Sequence, residues 1–263
     1  MKGYVLNDDK RLTYCEIELS KYCTLYETLV NVEELDFILF GMNGIDESRK
    51  GVSHGYYYHL EDTFFKKLNP KTTIYTGKNN NVLNRLSKKY HFNLVTLTKE
   101  EKIIKKNAVL TAEGVISEII QKRPYALDGS RICIIGYGHC GKIIASKLRA
   151  LNAKVMIIEK DEEINELARH HFEIIDEKDL LVRQIDVVVN TAPNDALKEE
   201  TIQRLSSNIY LFNISSFPYG YHHECATHLH DFILPMLPGR YGYKTAGKII
   251  ADYIIERGKH VSG

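Results

Sequence analysis

The sequence predicts an α/β protein in two parts, a small α/β domain over residues 1–105 and a larger domain over 106–263 built on a parallel, doubly wound sheet. Three observations predict it. Short apolar runs of strand length alternate with helical spacing along the first hundred residues. A more regular strand–helix alternation fills the second half, as a parallel sheet covered on both faces requires. Between the first strand and first helix of that second half stands "IIGYGHCGK", a glycine-rich turn.

In the first part "GYVL", "DFILF", "TTIYT" and "NLVTL" read as strands. "GKNNNVLNRLSKKYHF" reads as a turn entering an amphipathic helix, and "NGIDESRKGVSHGYYYH" as a polar loop without a clear period. A connecting helix is expected over 108–121, with Thr111 as its N-cap and Pro124 beyond its end.

In the second part "RICIIG", "AKVMIIE", "FEII", "IDVVVNTAP", "NIYLFNIS" and "DFILP" are the expected strands. "GKIIASKLRALN", "EEINELARH", "EKDLLVRQ" and "EETIQRLSS" are the helices between them. "YKTAGKIIADYIIERG" closes the chain as a helix capped by Gly258.

Composition narrows the function classes. With 44% hydrophobic residues in 263, a substantial core can be built. The net charge of +1 comes from 35 basic and 34 acidic residues without a basic face, so neither nucleic acid nor an anionic membrane is the expected partner. No apolar run is long enough to cross a bilayer. The first residues lack a signal-peptide core, and five scattered cysteines fit free thiols in a reducing cytoplasm.

The glycine turn fits two phosphate-binding patterns. Gly136, Gly141 and Lys142 match most of a nucleoside-triphosphate loop, but that loop needs a Mg²⁺-binding hydroxyl after its lysine, and Ile143 stands there. Gly136, Gly138 and Gly141 match the dinucleotide turn: a tight bend, a bare approach to pyrophosphate, and close helix–sheet packing. His139 and Cys140 fill the same turn at the positive end of the following helix and join the expected cofactor contacts. Glu159 ends the next strand, where a carboxylate accepts ribose hydroxyls. It would repel a 2′-phosphate and so favours NAD, while Lys160 beside it would admit NADP. A Rossmann-like turn that holds no ligand is the alternative.

Asn190, Thr191, Ala192 and Pro193 stand at the end of the fourth strand, where a nicotinamide would lie; a plain strand-end turn is the other reading of "TAP". Arg240 and Lys244, around the start of the last helix in "PGRYGYKTAG", would bind carboxylates; otherwise they are solvated surface charges. Arg11 in "NDDKR" could add a cation. Glu113, on the connecting helix, caps or transfers a proton. Cys140 could carry a depressed pKa at its helix start, or simply fill the junction. The cluster "YHHECATHLH" has zinc-type donors in His222, His223, Cys225, His228 and His230, but no companion ligand pair, and no metal is expected.

"TAEG" before the cofactor strand and "LPG" followed by "KTAG" carry a resemblance to the dipicolinate synthase A-subunit family, closest over residues 107–254. The resemblance implies an N-terminal flavodoxin-like lobe and an NAD(P)-binding Rossmann lobe. It also implies oxidation of a cyclic hydroxy-tetrahydrodipicolinate, by way of dihydrodipicolinate, to dipicolinate in bacterial sporulation. The implied partner is a flavoprotein-like B-subunit, and a homo-oligomer is expected. The chain departs from the family in three places. "EKD" replaces Arg-Ser after the second Rossmann strand; Asn213 and Phe217 replace an acid and an arginine; and the N-terminal lobe is short. A changed small carboxylate substrate, or a non-catalytic NAD(H)-binding scaffold, are therefore the alternative readings.

Overall fold

A computed structural model gives the structure of residues 1–29 and 31–261. The chain forms two compact units, one of Met1–Asn107 together with the residues from Gly242 onward, the other of Ala108–Tyr241.

In the first unit the strands are β1 (Lys2–Val5), β2 (Thr24–Leu25), β3 (Phe37–Leu39), β4 (Lys50–Ser53), β5 (Tyr56–His59), β6 (Thr73–Thr76) and β7 (Asn93–Thr96). Helices α1 (Lys10–Leu19), α2 (Asp62–Lys66) and α3 (Asn81–Tyr90) lie between them. Five strands form a parallel sheet in the order β2-β1-β3-β6-β7, the strand order of a flavodoxin-like fold. Ile38, Phe65, Ile74 and Leu83 are wholly buried in its core.

The polar segment after Asn43 is not a plain loop. β4 and β5 pair antiparallel around His54 and Gly55, both at positive φ. Such a two-residue turn twists with the strands it joins, and the local turn decides the structure where apolar periodicity is silent.

Helix α4 (Glu101–Lys122) carries the chain into the second unit. It starts well before the expected residue 108, and Thr111 lies inside it rather than at its cap. Ile103, Ala108, Ala112, Val115 and Ile119 continue one buried face along it, with no breaker before Lys122.

The second unit holds β8 (Arg131–Ile135), β9 (Lys154–Ile158), β10 (Glu173–Ile174), β11 (Val187–Asn190), β12 (Tyr210–Asn213) and β13 (His230–Ile233). Its helices are α5 (His139–Ala150), α6 (Glu162–Arg169), α7 (Glu199–Arg204) and α8 (Leu237–Tyr241). The sheet is parallel throughout, in the order β10-β9-β8-β11-β12-β13. That is the doubly wound dinucleotide-binding order, reversing direction between β8 and β11.

Alternate residues feed two cores. Ile132, Ile134, Val155, Ile157, Val187 and Val189 face one. Cys133, Ile135, Met156, Ile158 and Val188 face the other. Period-two projection explains why these strands read as unbroken apolar runs. "EKDLLVRQ" keeps only a short 3-10 turn, Glu177–Leu181.

The final helix α9 (Tyr243–Val261) belongs with the first unit, not with the Rossmann domain that it was expected to close. It packs on α1, where a Cβ on Gly247 would meet the Arg11 carbonyl at 2.3 Å. The two backbones touch because Gly247 has no side chain. Gly258 is no cap, since the helix runs through it.

Candidate functional site

The site of the second unit grows from the bend between β8 and α5. Gly136 has φ +90°, and a Cβ there would meet the Thr191 hydroxyl at 2.6 Å. Gly141 sits so close beneath the bend that a Cβ would meet the Gly136 carbonyl oxygen at 2.0 Å. Gly138 differs: a Cβ built on it finds nothing within 4 Å. The first and third glycines thus close the packing, while the middle one presents bare backbone to open space at the start of a 12-residue helix. This is the arrangement that admits a pyrophosphate.

The turn is held on two sides. The Thr191 hydroxyl donates to the carbonyls of Ile135 at 3.0 Å and Gly136 at 3.3 Å. The Glu159 carboxylate accepts the Tyr137 N–H at 2.7 Å through Oε2, and through Oε1 the N–H groups of Lys160 at 2.7 Å and Asp161 at 3.0 Å. Three main-chain donors therefore fix this half-buried acid beside the turn. The Lys160 ammonium donates to the Asp195 carbonyl. Both residues line a hollow of about 750 Å³ with Leu197 and Tyr221.

A second cavity of about 300 Å³ opens at the carboxyl ends of β11 and β12. Thr111, Cys140, Thr191, Pro193, Ser215 and Leu237 are among its walls, and no charged side chain lines it among the described residues. Cys140 belongs to both this cavity and the glycine turn, and Thr191 lines the cavity while bonding to the turn, so the two adjoin. His139 and Ala192 flank them: His139 begins α5, and a Cβ on Gly136 would lie 3.4 Å from that of Ala192. Burial pushes the Cys140 thiol pKa up, with a hydrogen bond to Thr111 opposing it. The direction is opposite to that of an activated cysteine.

Under the cavity floor two buried asparagines are interlocked. The Asn190 amide donates to Asn213 Oδ1 at 3.2 Å and to the carbonyls of Ala192 and Tyr219 at 3.1 and 3.0 Å. Asn213 donates to the Tyr219 carbonyl at 2.8 Å and accepts from the Ser215 amide and hydroxyl at 3.0 and 2.7 Å. Both are wholly buried, so every polar atom must find such a partner. They fix the loops that follow both strands.

The remaining expected residues are distributed. Glu113 is largely exposed and pairs with Lys147 at 3.1 Å. Arg240 donates to the buried Glu118 at 2.9 Å. Lys244, in the first unit, stands over the Tyr14 ring at 5.2 Å. Arg11, also in the first unit, is 7% exposed and bonds Asp9 through Nε and Nη2 at 2.7 and 2.6 Å.

The histidines of the Cys/His cluster each have a separate neighbour. His222 lies 3.8 Å from Glu199, His223 contacts the Asp231 carboxylate, and His230 stacks on Tyr210. Among the described residues no group of three or more His, Cys, Asp or Glu could hold a metal. The segment forms a 3-10 turn, His223–Ala226, rather than a helix that would bring the side chains to one face.

Glu118 and the α8 wall were missed as site elements, and Asn190, expected beside the nicotinamide, is instead taken up by buried hydrogen bonds. Glu118 had a detectable signal: with Val115 and Ile119 it occupies helix-face spacing, an acid on a stripe that is otherwise buried. The pairing of Asn190 with Asn213, 23 positions apart, had none, because strand-end amides look like ordinary turn formers.

Comparisons with known proteins agree with this geometry. The NAD binding domain of D-isomer specific 2-hydroxyacid dehydrogenases matches residues 95–216. The dipicolinate synthase A-subunit of Bacillus subtilis is 28% identical over 187 residues, which is 69% of this chain and 63% of that protein. The chain thus aligns with less than two thirds of that relative's length. The structure of the dipicolinate synthase A-subunit from Bacillus halodurans superposes with a TM-score of 0.88 at 24% identity, covering 97% of this chain and 96% of the other. D-lactate dehydrogenase of Escherichia coli superposes with a TM-score of 0.62 at 11% identity, over 98% of each chain. These superpositions show a shared fold. No helix among the described residues is long and apolar enough to cross a membrane.

Proposed function

We propose that this chain, a member of the dipicolinate synthase A-subunit family, is a nicotinamide-dependent oxidoreductase that oxidises a small cyclic dicarboxylate. The observation that carries the reading is the open backbone over Gly138 with Glu159 fixed beside it. Gly138 at the α5 N-terminus would hold the pyrophosphate, Glu159 the ribose, and Thr191 with the cavity it lines the nicotinamide end. When bound, a nicotinamide supplies a carbon that accepts a hydride. Thr191, Ala192 and Pro193 would position the ring there, and His139 and Cys140 would flank the phosphates. The uncharged lining suits the nicotinamide ring.

The cofactor that fits best is NAD. The Glu159 carboxylate repels a 2′-phosphate, and the Lys160 ammonium that could offset the repulsion is engaged by the Asp195 carbonyl. Family membership supports loss of water from a hydroxy-tetrahydrodipicolinate to give dihydrodipicolinate, then its oxidation to aromatic dipicolinate with loss of a hydride to the nicotinamide cofactor and of a proton. Within the second unit, Arg240 would hold a carboxylate and Glu113 would take the proton. To the same reading belong a cytoplasmic setting in a sporulating cell, a homo-oligomer and a flavoprotein-like B-subunit.

A second reading keeps the cofactor and changes the carboxylate. Asn213, where the family carries an acid, is consumed by buried hydrogen bonds, and Phe217, where it carries an arginine, is 82% exposed. Titration with NAD⁺, NADP⁺ and ATP, read by thermal shift, tests the cofactor. A ligand at a hundred times its Kd adds about 2.7 kcal/mol of stability. Stabilisation by NAD⁺ is expected; stabilisation by ATP with no response to either dinucleotide overturns the reading. Dipicolinate formation with and without the B-subunit then separates the family substrate from a changed one. A protein that binds NAD(H) but turns over no cyclic carboxylate is the scaffold alternative.

A further inference from the structure

We propose that Glu118 is a positioning residue that sets the α8 wall of the Thr191 cavity and thereby the seat of the nicotinamide ring. The proposal deepens the dinucleotide reading above and rests on it. The Glu118 side chain is 4% exposed, among the most buried carboxylates of the second unit. It accepts the Tyr241 hydroxyl at 2.5 Å and Arg240 Nη2 at 2.9 Å, and Lys122 Nζ lies 3.6 Å away. A carboxylate taken out of water is tolerated when such donors surround it, and removing its charge releases them.

Both close donors sit at the end of α8. One turn earlier in the same helix Leu237 and Pro238 face the cavity. α4 approaches that turn closely, because a Cβ on Gly114 would meet Leu237 at 3.1 Å and Tyr241 at 3.0 Å. Thr111, one turn before Gly114, also lines the cavity. One face of α4 therefore supplies a wall residue, a bare contact and an anchor in sequence. The anchor holds the far end of the short helix whose near end completes the pocket. Arg240 then acts first as the counter-ion of Glu118.

The wall would meet the nicotinamide ring, whereas Gly138 and Glu159 would serve the phosphates and the adenosine ribose. ADP-ribose, which lacks nicotinamide, is thus the internal control. The dissociation constants of NADH and ADP-ribose are measured by fluorescence and calorimetry for wild type, Glu118→Gln and Tyr241→Phe. Glu118→Gln is expected to weaken NADH about fivefold to tenfold and ADP-ribose less than twofold. Tyr241→Phe, which keeps the buried charge paired with Arg240, is expected to weaken NADH about twofold to threefold, again without moving ADP-ribose.

Equal weakening of both ligands marks a general structural role and overturns the proposal, as does unchanged NADH binding in both variants. If Glu118→Gln does not fold, the same criteria applied to Tyr241→Phe decide. Wild-type protein binding neither ligand overturns the cofactor reading itself, and the positioning role with it.

Discussion

Glu159 and Tyr137 are joined by a 2.7 Å hydrogen bond from the backbone N–H of the glycine turn to the carboxylate at the end of β9. The acid's other oxygen is occupied by two further main-chain donors. What remains of its accepting capacity lies on Oε2, where a ribose hydroxyl can add one more bond.

Replacing that charge should change cofactor choice. Glu159→Gln is expected to weaken NAD⁺ by about tenfold, since hydrogen bonds to charged groups contribute roughly 1.5–3 kcal/mol. It should also narrow the gap between NAD⁺ and NADP⁺. Isothermal titration with both dinucleotides checks the prediction, and an unchanged ratio refutes it.

Gly138 and Gly141 should separate binding from folding. Gly138→Ala meets open space, so its melting temperature should stay close to wild type while NADH affinity falls by about tenfold, or ~1.4 kcal/mol. Gly141→Ala drives a methyl into the Gly136 carbonyl and should cost roughly 1–3 kcal/mol of stability. Thermal melts and NADH titrations on the two variants give opposite patterns if the turn is built as described.

Asn213→Leu should destabilise without touching a cofactor. It removes one of two donors from the Tyr219 carbonyl and the buried acceptor shared by Asn190 and the Ser215 amide and hydroxyl. Stranded buried groups cost about 1–3 kcal/mol each. Urea unfolding should register a loss of roughly 3 kcal/mol or more; a loss below ~1 kcal/mol would mean that the network is dispensable.

Asp9 and Arg11 predict an acid-sensitive first unit. Burial opposes ionisation of the Asp9 carboxyl, but its bonds to the Arg11 side chain and N–H outweigh this and hold its pKa below the usual carboxylate range. A depressed pKa contributes stability that is fully present above the unfolded value near 3.8 and is lost as pH falls through the folded one. Asp9→Ala leaves Arg11 buried without its counter-charge and should cost about 3–5 kcal/mol at neutral pH. Asp9→Asn should lose the part of the acid dependence below pH 4 that wild type shows, measured by denaturant unfolding across pH.

The Rossmann half was legible because its signals are local. Alternating strands and helices, three glycines at fixed spacing and an acid at the next strand end all lie within residues 131–159, and the structure realises each. The site residues were legible as types more than as contacts. Arg240 reads as an exposed cation in a glycine-flanked loop, and nothing near it in sequence points to Glu118, 122 positions away. The β4–β5 hairpin escaped because its strands are held by backbone pairing around His54–Gly55, with no apolar period to betray them.

By itself the sequence determined most of the secondary elements, the doubly buried character of the second sheet and the conformation of the glycine turn, because propensity and periodicity act over a few residues. Tertiary structure alone decided that α9 packs with the first unit, that Lys160 turns to Asp195, and that Glu118 claims Arg240. Those outcomes depend on which backbones approach closely and which buried charges need partners, and both are settled only when distant segments meet.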